Sequence, residues 1–171
     1  RRSTQFIALH EEREEIAKAV ALASVRFSDL QNTRTTNYVF DLVRFTSFEG
    51  KTGPYMLYAA VRIKSLLRRA KDEGLEAGDI EIGSDVERAL AMQLDAFAVA
   101  LEQAFQKRMP HIVCEHVYGV AQAFSAFYGA HPIATEKDPI VRGSRLALCE
   151  AVLNQLSAGL DLLGIDVPER M

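Results

Sequence analysis

The chain has 171 residues, of which 20 are Lys or Arg and 23 are Asp or Glu, so its formal net charge is −3. An acidic total excludes the strongly basic, tail-type class of nucleic-acid binder. Its hydrophobic fraction of 49% is typical of a single soluble globular domain. No apolar run approaches the roughly 18 residues of a membrane span, and the first residues lack the apolar core of a signal peptide.

Cysteine usage and the first residue give two further expectations. Two cysteines are too few for a disulfide scaffold, so a reducing, cytoplasmic location is expected. The sequence starts with Arg1 and not with Met, which predicts that it is a piece of a longer protein.

Apolar residues recur at helical spacing along most of the chain, and strand-like alternation is nearly absent. Helix-start signals occur at Thr52, at Ser84 with Glu87 three residues later, and at Asp138 before a proline. Gly74 and Gly164 are the expected stops of two helices. The sequence therefore predicts an all-α helical bundle of about five helices: residues 11–23, 52–71, 84 to the break at 109–110, 111–128 and 139–163.

The segments between these helices are predicted to be irregular. Residues 25–52 lose the helical pattern and are expected to form a structured connection, while residues 73–83 and 129–137 are expected to be loops.

Motifs for catalysis are missing, so no catalytic residue is predicted. The sequence has no HExxH, GxSxG or GxGxxG pattern, and its Gly-Lys-Thr at residues 50–52 lacks the earlier glycine of a phosphate-binding loop. A metal site formed by His111, Cys114, Glu115 and His116 is the weaker interpretation, because zinc needs four ligands and no second cluster is present. We expect a half-buried histidine and a core thiol there, and no bound metal.

Local charge contradicts the acidic total between residues 51 and 71. This segment carries six basic residues and no Asp or Glu. On a helix, Tyr58, Arg62 and Arg69 share one angular sector, with Tyr55 beside them. Aromatic faces and cations together are typical of single-stranded RNA recognition. From the pattern alone, a solvated basic face with tyrosines in the core is the stronger alternative.

Longer stretches resemble the carboxyl-terminal part of arginyl-tRNA synthetases. The stretches are FSDL at 27–30, RTTNYVFD at 34–41, SFEGKTGPYMLYAAVRI at 47–63, FSAFY at 124–128, SRLAL at 144–148 and GLDLLGIDVPERM at 159–171. They are similar to the family's helical, DALR-type anticodon-binding domain. The chain differs at residues 40–48, where it reads FDLVRFTSF and the family commonly has FDWDRMLSF, and at Leu57, where the family usually has Gln.

The resemblance implies a class I arginine–tRNA ligase that uses ATP with Mg²⁺ and carries its HIGH-like and KMSKS-like signatures outside this sequence. Residues 25–171 would form the anticodon-binding domain, and residues 1–24 a remnant or linker from a preceding catalytic domain. The partners implied are that catalytic domain and the anticodon loop of arginine tRNA, whose anticodons mostly share a middle cytosine. No cofactor is expected within this segment.

Site residues follow from the resemblance at matching positions. Tyr55, Tyr58 and Arg62 would face the anticodon loop, together with the terminal Met171, which is expected to lie on a docked tail. As a hypothesis of mechanism beyond the resemblance, Tyr55 and Tyr58 would pack against unstacked bases, and Arg62, Lys64 and Arg69 would hold the flanking phosphates. Three further residues match family positions that either contact RNA or support the fold: Phe127, Tyr128 and Arg145.

Two other function classes remain open from the residues. A helical protein-interaction bundle could use the basic helix to bind an acidic partner. A small helical enzyme would need a polar pocket, for which the sequence offers no constellation.

Overall fold

A computed structural model describes the backbone of residues 2–171 and the side chains of residues 11–171. Every regular element in that part of the chain is a helix, which confirms the all-α prediction. None of the described helices combines the length and the apolar composition that a membrane span requires. The helices are α1 (Arg2–Leu30), α2 (Leu42–Phe45), α3 (Gly53–Asp72), α4 (Asp85–Asp95), α5 (Phe97–Lys107), α6 (His111–Ala130) and α7 (Pro139–Leu162).

The first helix is longer than the sequence predicted. It continues past residue 23 to Leu30, because Ala23 and Phe27 form a fully buried stripe with Ser24 between them. The Ser24 hydroxyl donates to the carbonyl of Val20 at 2.8 Å, so this polar residue is buried without losing a hydrogen bond. The proposed division of the chain at residue 24 stays a prediction, and it falls inside a continuous helix.

The third helix begins and ends where the sequence predicted. The Thr52 hydroxyl accepts a hydrogen bond from the amide of Tyr55 at 3.2 Å, and Pro54 occupies the first turn. The chain leaves the helix through Gly74, whose φ of +71° lies in the left-handed region. The TGPY segment is therefore a helix-start signal in its own right.

The prediction of one long helix after Ser84 is wrong, because this segment forms two helices, α4 and α5. Ser84 caps α4 as expected by accepting from the Glu87 amide at 3.2 Å. The helix then breaks at Ala96, between α4 and α5. Near this break, Gln155 of α7 donates to the carbonyl of Leu94 at 2.9 Å and supplies a partner for it.

The core lies where α3 packs against α1, α6 and α7. Helix α6 contributes a buried stripe and α7 a second one, while α4 closes the bundle against both. The largest fully buried side chains include Phe27, Phe124, Phe127, Met56 and Leu156. Helix α3 thus packs against three helices in one apolar core, and the rest of its surface lies outside the core.

Gly53 marks the closest approach between α1 and α3. A Cβ atom at this position would lie 2.0 Å from the carbonyl oxygen of Ala23, which is backbone and cannot rotate away. Only glycine therefore allows the two helices to cross here.

A buried ion pair joins α7 to α4. Arg145 is 9% exposed and Glu87 2% exposed, and Nε of Arg145 donates to Oε1 of Glu87 at 2.9 Å. Burial acts to raise the pKa of Glu87, but the hydrogen bonds from Arg145 and from the Gly83 amide lower it more, so this pKa lies below its ordinary value. Nη1 of Arg145 also binds the Pro132 carbonyl and Glu136, each at 2.8–2.9 Å.

Substituting Gly53 tests the crossing. We expect Gly53→Ala to destabilise the protein by about 1–3 kcal/mol, because α1 and α3 must move apart to make room for the added methyl group. Gly129 in α6 is the matched control, since a Cβ there meets no atom within 4 Å. Gly129→Ala should instead be neutral or stabilising by up to about 1 kcal/mol. Urea unfolding gives both values, and equal effects would contradict the assigned contact.

The ion pair predicts a pH-dependent cost of losing Arg145. At pH 7, Arg145→Met leaves Glu87 buried and unpaired, which should cost about 3–5 kcal/mol. Because the folded-state pKa of Glu87 is lowered, the pair stabilises the fold above the ordinary glutamate pKa and loses this effect as the pH falls. The difference from wild type in urea unfolding should therefore shrink towards pH 4. A matched loss in Arg88→Met, at an exposed arginine of α4, would argue against the assignment.

Candidate nucleic-acid interface

The outer surface of α3 carries the residues that the sequence singled out. Tyr58, Arg62 and Arg69 are four and seven residues apart, so they lie within about 40° of one another around the helix. Tyr58 is 47% exposed and Arg69 is exposed, whereas Arg62 is half-buried. Together with Tyr128 of α6, these residues form what we call the tyrosine–arginine face.

The two tyrosines of α3 have different environments. Tyr55 is half-buried; its hydroxyl lies 3.3 Å from Oγ of Ser125, and its ring packs edge-on against Tyr118 with centroids 6.1 Å apart. Tyr58 has no such partner among the described residues and presents its ring to solvent. Tyr55 therefore links α3 to α6, and Tyr58 offers the free aromatic surface.

Arg62 lies over the ring of Tyr128. Its guanidinium carbon is 3.8 Å from the ring centroid, which is a close cation–π contact between α3 and α6. The ring of Tyr128 also packs against Phe124, with centroids 5.8 Å apart. The contact with Tyr128 therefore restricts the orientation of the guanidinium.

A groove of about 370 Å³ continues this face towards the loop after α6. Leu66 and Arg69 of α3 line it, with Tyr128 of α6, Glu73 immediately after α3 and His131 from the loop. The His131 ring is fixed by contacts within the fold, because its two ring nitrogens lie 2.9 Å from the Ser84 hydroxyl and 3.3 Å from Arg145. The groove thus combines apolar side chains, a cation, a carboxylate and an aromatic ring.

Two of the six basic residues between positions 51 and 71 are neutralised. Lys51 pairs with Glu115, and Lys64 pairs with Glu169 at 2.6 Å. Within the part of the chain whose side chains are described, Arg62, Arg68, Arg69 and Lys71 form no ion pair. The exposed side of α3 therefore keeps a positive charge although the whole chain is acidic.

Two of the predicted residues lie inside the protein. Phe127 is fully buried in the core and packs against Phe124 and His131. Arg145 uses Nε, Nη1 and Nη2 on partners within the fold. An RNA contact from either side chain would require the fold to open, so their positions favour the structural alternative.

The tail after α7 is docked, as the sequence predicted. Ile165 is 2% exposed and Val167 packs against the core. Nζ of Lys64 binds the Val167 carbonyl at 3.2 Å, and Arg170 pairs through two of its nitrogens with Glu12 of α1. Met171 follows this anchored segment and is 40% exposed.

Sequence reasoning missed Tyr118, Ser125 and His131, which support or border the face. Helical periodicity could have predicted part of this arrangement, because Tyr118 and Ser125 are seven residues apart on α6 and so lie on the same side of that helix. The same period separates Phe127 from Tyr128 by about 100°, so these neighbours face different surroundings. No local pattern identifies His131, because its partners come from α4 and α7.

The four residues of the weaker metal interpretation lie in separate environments, and Nδ1 of His111 is buried without a hydrogen-bond partner among the described residues. His116 lies 2.9 Å from Gln155 and stacks on Phe97, while Cys114 is fully buried and burial raises the pKa of its thiol to about 12. Glu115 pairs with Lys51. Among residues with described side chains, no three His, Cys, Asp or Glu groups converge as a metal site would require.

Comparisons with known proteins agree with this architecture. The family model of the DALR anticodon binding domain matches residues 56–171. The arginine–tRNA ligase of Hyphomonas neptunium is 64% identical over 160 residues, covering 94% of this chain and 27% of that protein. The enzyme of Maricaulis maris is 56% identical over 161 residues, with the same coverage of 94% and 27%. The chain thus spans about a quarter of the length of these relatives.

Solved structures give the same result. Thermus thermophilus arginyl-tRNA synthetase matches with a TM-score of 0.84 at 36% identity, over 92% of this chain and 28% of that one. The Plasmodium falciparum synthetase shares the fold, with a TM-score of 0.80 at 23% identity over 98% of this chain and 30% of that one. The resemblance found in the sequence is confirmed: the chain belongs to the DALR anticodon-binding domain family.

Proposed function

We propose that this chain is the tRNA anticodon-binding portion of an arginyl-tRNA synthetase. The observation that carries the proposal is the tyrosine–arginine face, which lies within the segment matched by the DALR model and is free of internal ion pairs among the described residues. The whole protein would ligate arginine to its tRNA in the cytoplasm with ATP and Mg²⁺. We assign that chemistry to the part of such an enzyme that lies outside this sequence.

Tyr58 is the proposed stacking platform. Bases in an anticodon loop are unstacked and splayed, so they can pack against an aromatic ring or a guanidinium plane. Tyr58 offers the ring, and Arg62 offers a plane that Tyr128 already holds. Because the guanidinium is oriented before RNA arrives, little side-chain entropy is lost on binding.

Arg69 and the groove would receive the neighbouring nucleotide. Arg69 is exposed at the mouth of the groove, where its charge can meet a phosphate while Tyr128 lies beside the base. Met171 would complete the site, since a thioether can pack against a base and the terminal carboxylate can accept a hydrogen bond from a cytosine amino group. Tyr55 supports the platform through its contacts with α6.

Binding to an anticodon stem-loop tests the proposal. The 171-residue chain should bind the stem-loop of an arginine tRNA at low salt, measured by fluorescence anisotropy. Tyr58→Ala should weaken binding by about 5- to 150-fold, the loss of about 1–3 kcal/mol of stacking. Arg88→Ala, which removes an exposed arginine of α4, is the control and should bind like wild type.

Changing the middle base of the anticodon separates this proposal from a protein-interaction bundle. Wild type should prefer the cognate loop, and the preference should decrease in Tyr58→Ala. If affinity depends on salt but is indifferent to the loop sequence, the basic helix binds polyanions in general and the anticodon assignment fails.

We expect Tyr55 to contribute mainly to the stability of the fold and Tyr58 mainly to RNA binding. Tyr55→Ala removes a half-buried ring with partners on α6 and should destabilise the fold by about 2 kcal/mol. Tyr58→Ala should change the unfolding free energy by less than about 0.5 kcal/mol. Urea unfolding of both variants beside their RNA affinities gives the comparison. A large stability loss in Tyr58→Ala would place that ring in the core and would remove it from the site.

A further inference from the structure

The position of Lys64 separates it from the other basic residues of α3. It is two residues after Arg62, which places it about 200° around the helix from that side chain. Its side chain is 19% exposed, whereas Arg68, Arg69 and Lys71 are exposed. Lys64 therefore faces away from the tyrosine–arginine face and is poorly placed to meet a phosphate bound there.

Both hydrogen-bond partners of Lys64 belong to the tail. Nζ donates to the carbonyl of Val167 at 3.2 Å and to Oε1 of Glu169 at 2.6 Å. The hydrogen bond from Lys64 lowers the pKa of Glu169, and the nearby Arg68 charge acts in the same direction. One ammonium group thus holds both a main-chain and a side-chain atom of the segment that ends at Met171.

The next residue is held from the opposite side. Arg170 pairs with Glu12 of α1 through Nε and Nη2, the latter at 2.9 Å. Glu169 and Arg170 are consecutive, so the segment is fixed between α3 and α1 immediately before its last residue. No helix or strand includes residues 165–171, so these side-chain contacts contribute to their path together with the packing of Ile165 and Val167 on the core.

We propose that Lys64 is a positioning residue, which anchors the tail so that Met171 is presented to an unstacked RNA base, and that it makes no phosphate contact. This inference rests on the proposed RNA-binding function. Without the anchor, the last residues would have to be ordered during binding, and that entropy would be lost from the affinity. The Glu169 side chain is 82% exposed, so the ion pair itself adds little to the stability of the bundle.

Removal of Met171 by carboxypeptidase Y tests the anchor without RNA. Lys64→Met should release Met171 several-fold faster than wild type under native conditions. Lys71→Met is the matched control, because Lys71 is seven residues further along α3, faces the same sector and forms no ion pair among the described residues. Lys64→Arg should restore slow release. Equal release rates in all variants would overturn the anchor, whatever the RNA result.

Salt dependence of stem-loop binding tests the role in recognition. For a single-stranded site, each lost phosphate contact lowers the slope of log affinity against log salt by about 0.7. Arg69→Met should lower this slope, whereas Lys64→Met should weaken binding by on the order of five-fold or more with the slope unchanged. In a chain lacking Met171, Lys64→Met should have no further effect.

The outcomes separate this inference from the function on which it rests. A lower slope in Lys64→Met, with a loss that persists after Met171 is deleted, would make Lys64 a phosphate contact and overturn the inference while the RNA-binding function stands. Unchanged affinity in Lys64→Met would also overturn it. If wild type binds no stem-loop, the proposed function fails, and the recognition part of this inference fails with it. Urea unfolding of each variant, which measures the stability of the packed bundle, shows whether the fold is intact.

Discussion

Where α3 begins, its backbone lies directly against the backbone of α1, and the absence of a side chain at Gly53 permits this contact. The crossing fixes the rotation of α3 about its own axis, so that one side packs on α1, α6 and α7. In the opposite sector, Tyr58 and Arg69 are exposed to solvent, and Arg62 is half-buried against Tyr128. In the TGPY segment, Thr52 caps the helix, Gly53 sets the crossing and Tyr55 contacts α6. The ring free for a ligand lies one turn later.

The packing of the helices also determines which charged side chains are paired within the fold and which remain available to a ligand. Three glutamates neutralise cations in contacts between elements: Glu115 pairs with Lys51, Glu169 with Lys64, and Glu87 with Arg145. Arg62 and Arg69 are not among these pairs. An overall charge of −3 is therefore compatible with a positive face, because burial and pairing decide which charges a ligand meets.

Helix starts could be predicted because their causes are local. Thr52, Ser84 and Asp138 each cap an amide within three residues. The break near Leu94 could not be predicted, since it lies beside a contact from Gln155, 61 residues away. Site prediction has the same limit. Helical periodicity places Tyr58 and Arg62 on one face, but the partners of Lys64 lie more than 100 residues away, beyond the reach of any local pattern.

Sequence separation also determines the order in which the face can be assembled. The contacts that support the face join residues 70 apart at Tyr55 and Ser125 and 58 apart behind the groove at Arg145 and Glu87, and the contact that holds the tail joins Lys64 and Val167, 103 apart. Closing long loops costs entropy before such contacts form, so they are expected late in folding, after the helices. Partial opening of the bundle would then remove the binding face while most of the helical structure persists. Helix content measured by circular dichroism would therefore overestimate the fraction of molecules competent to bind.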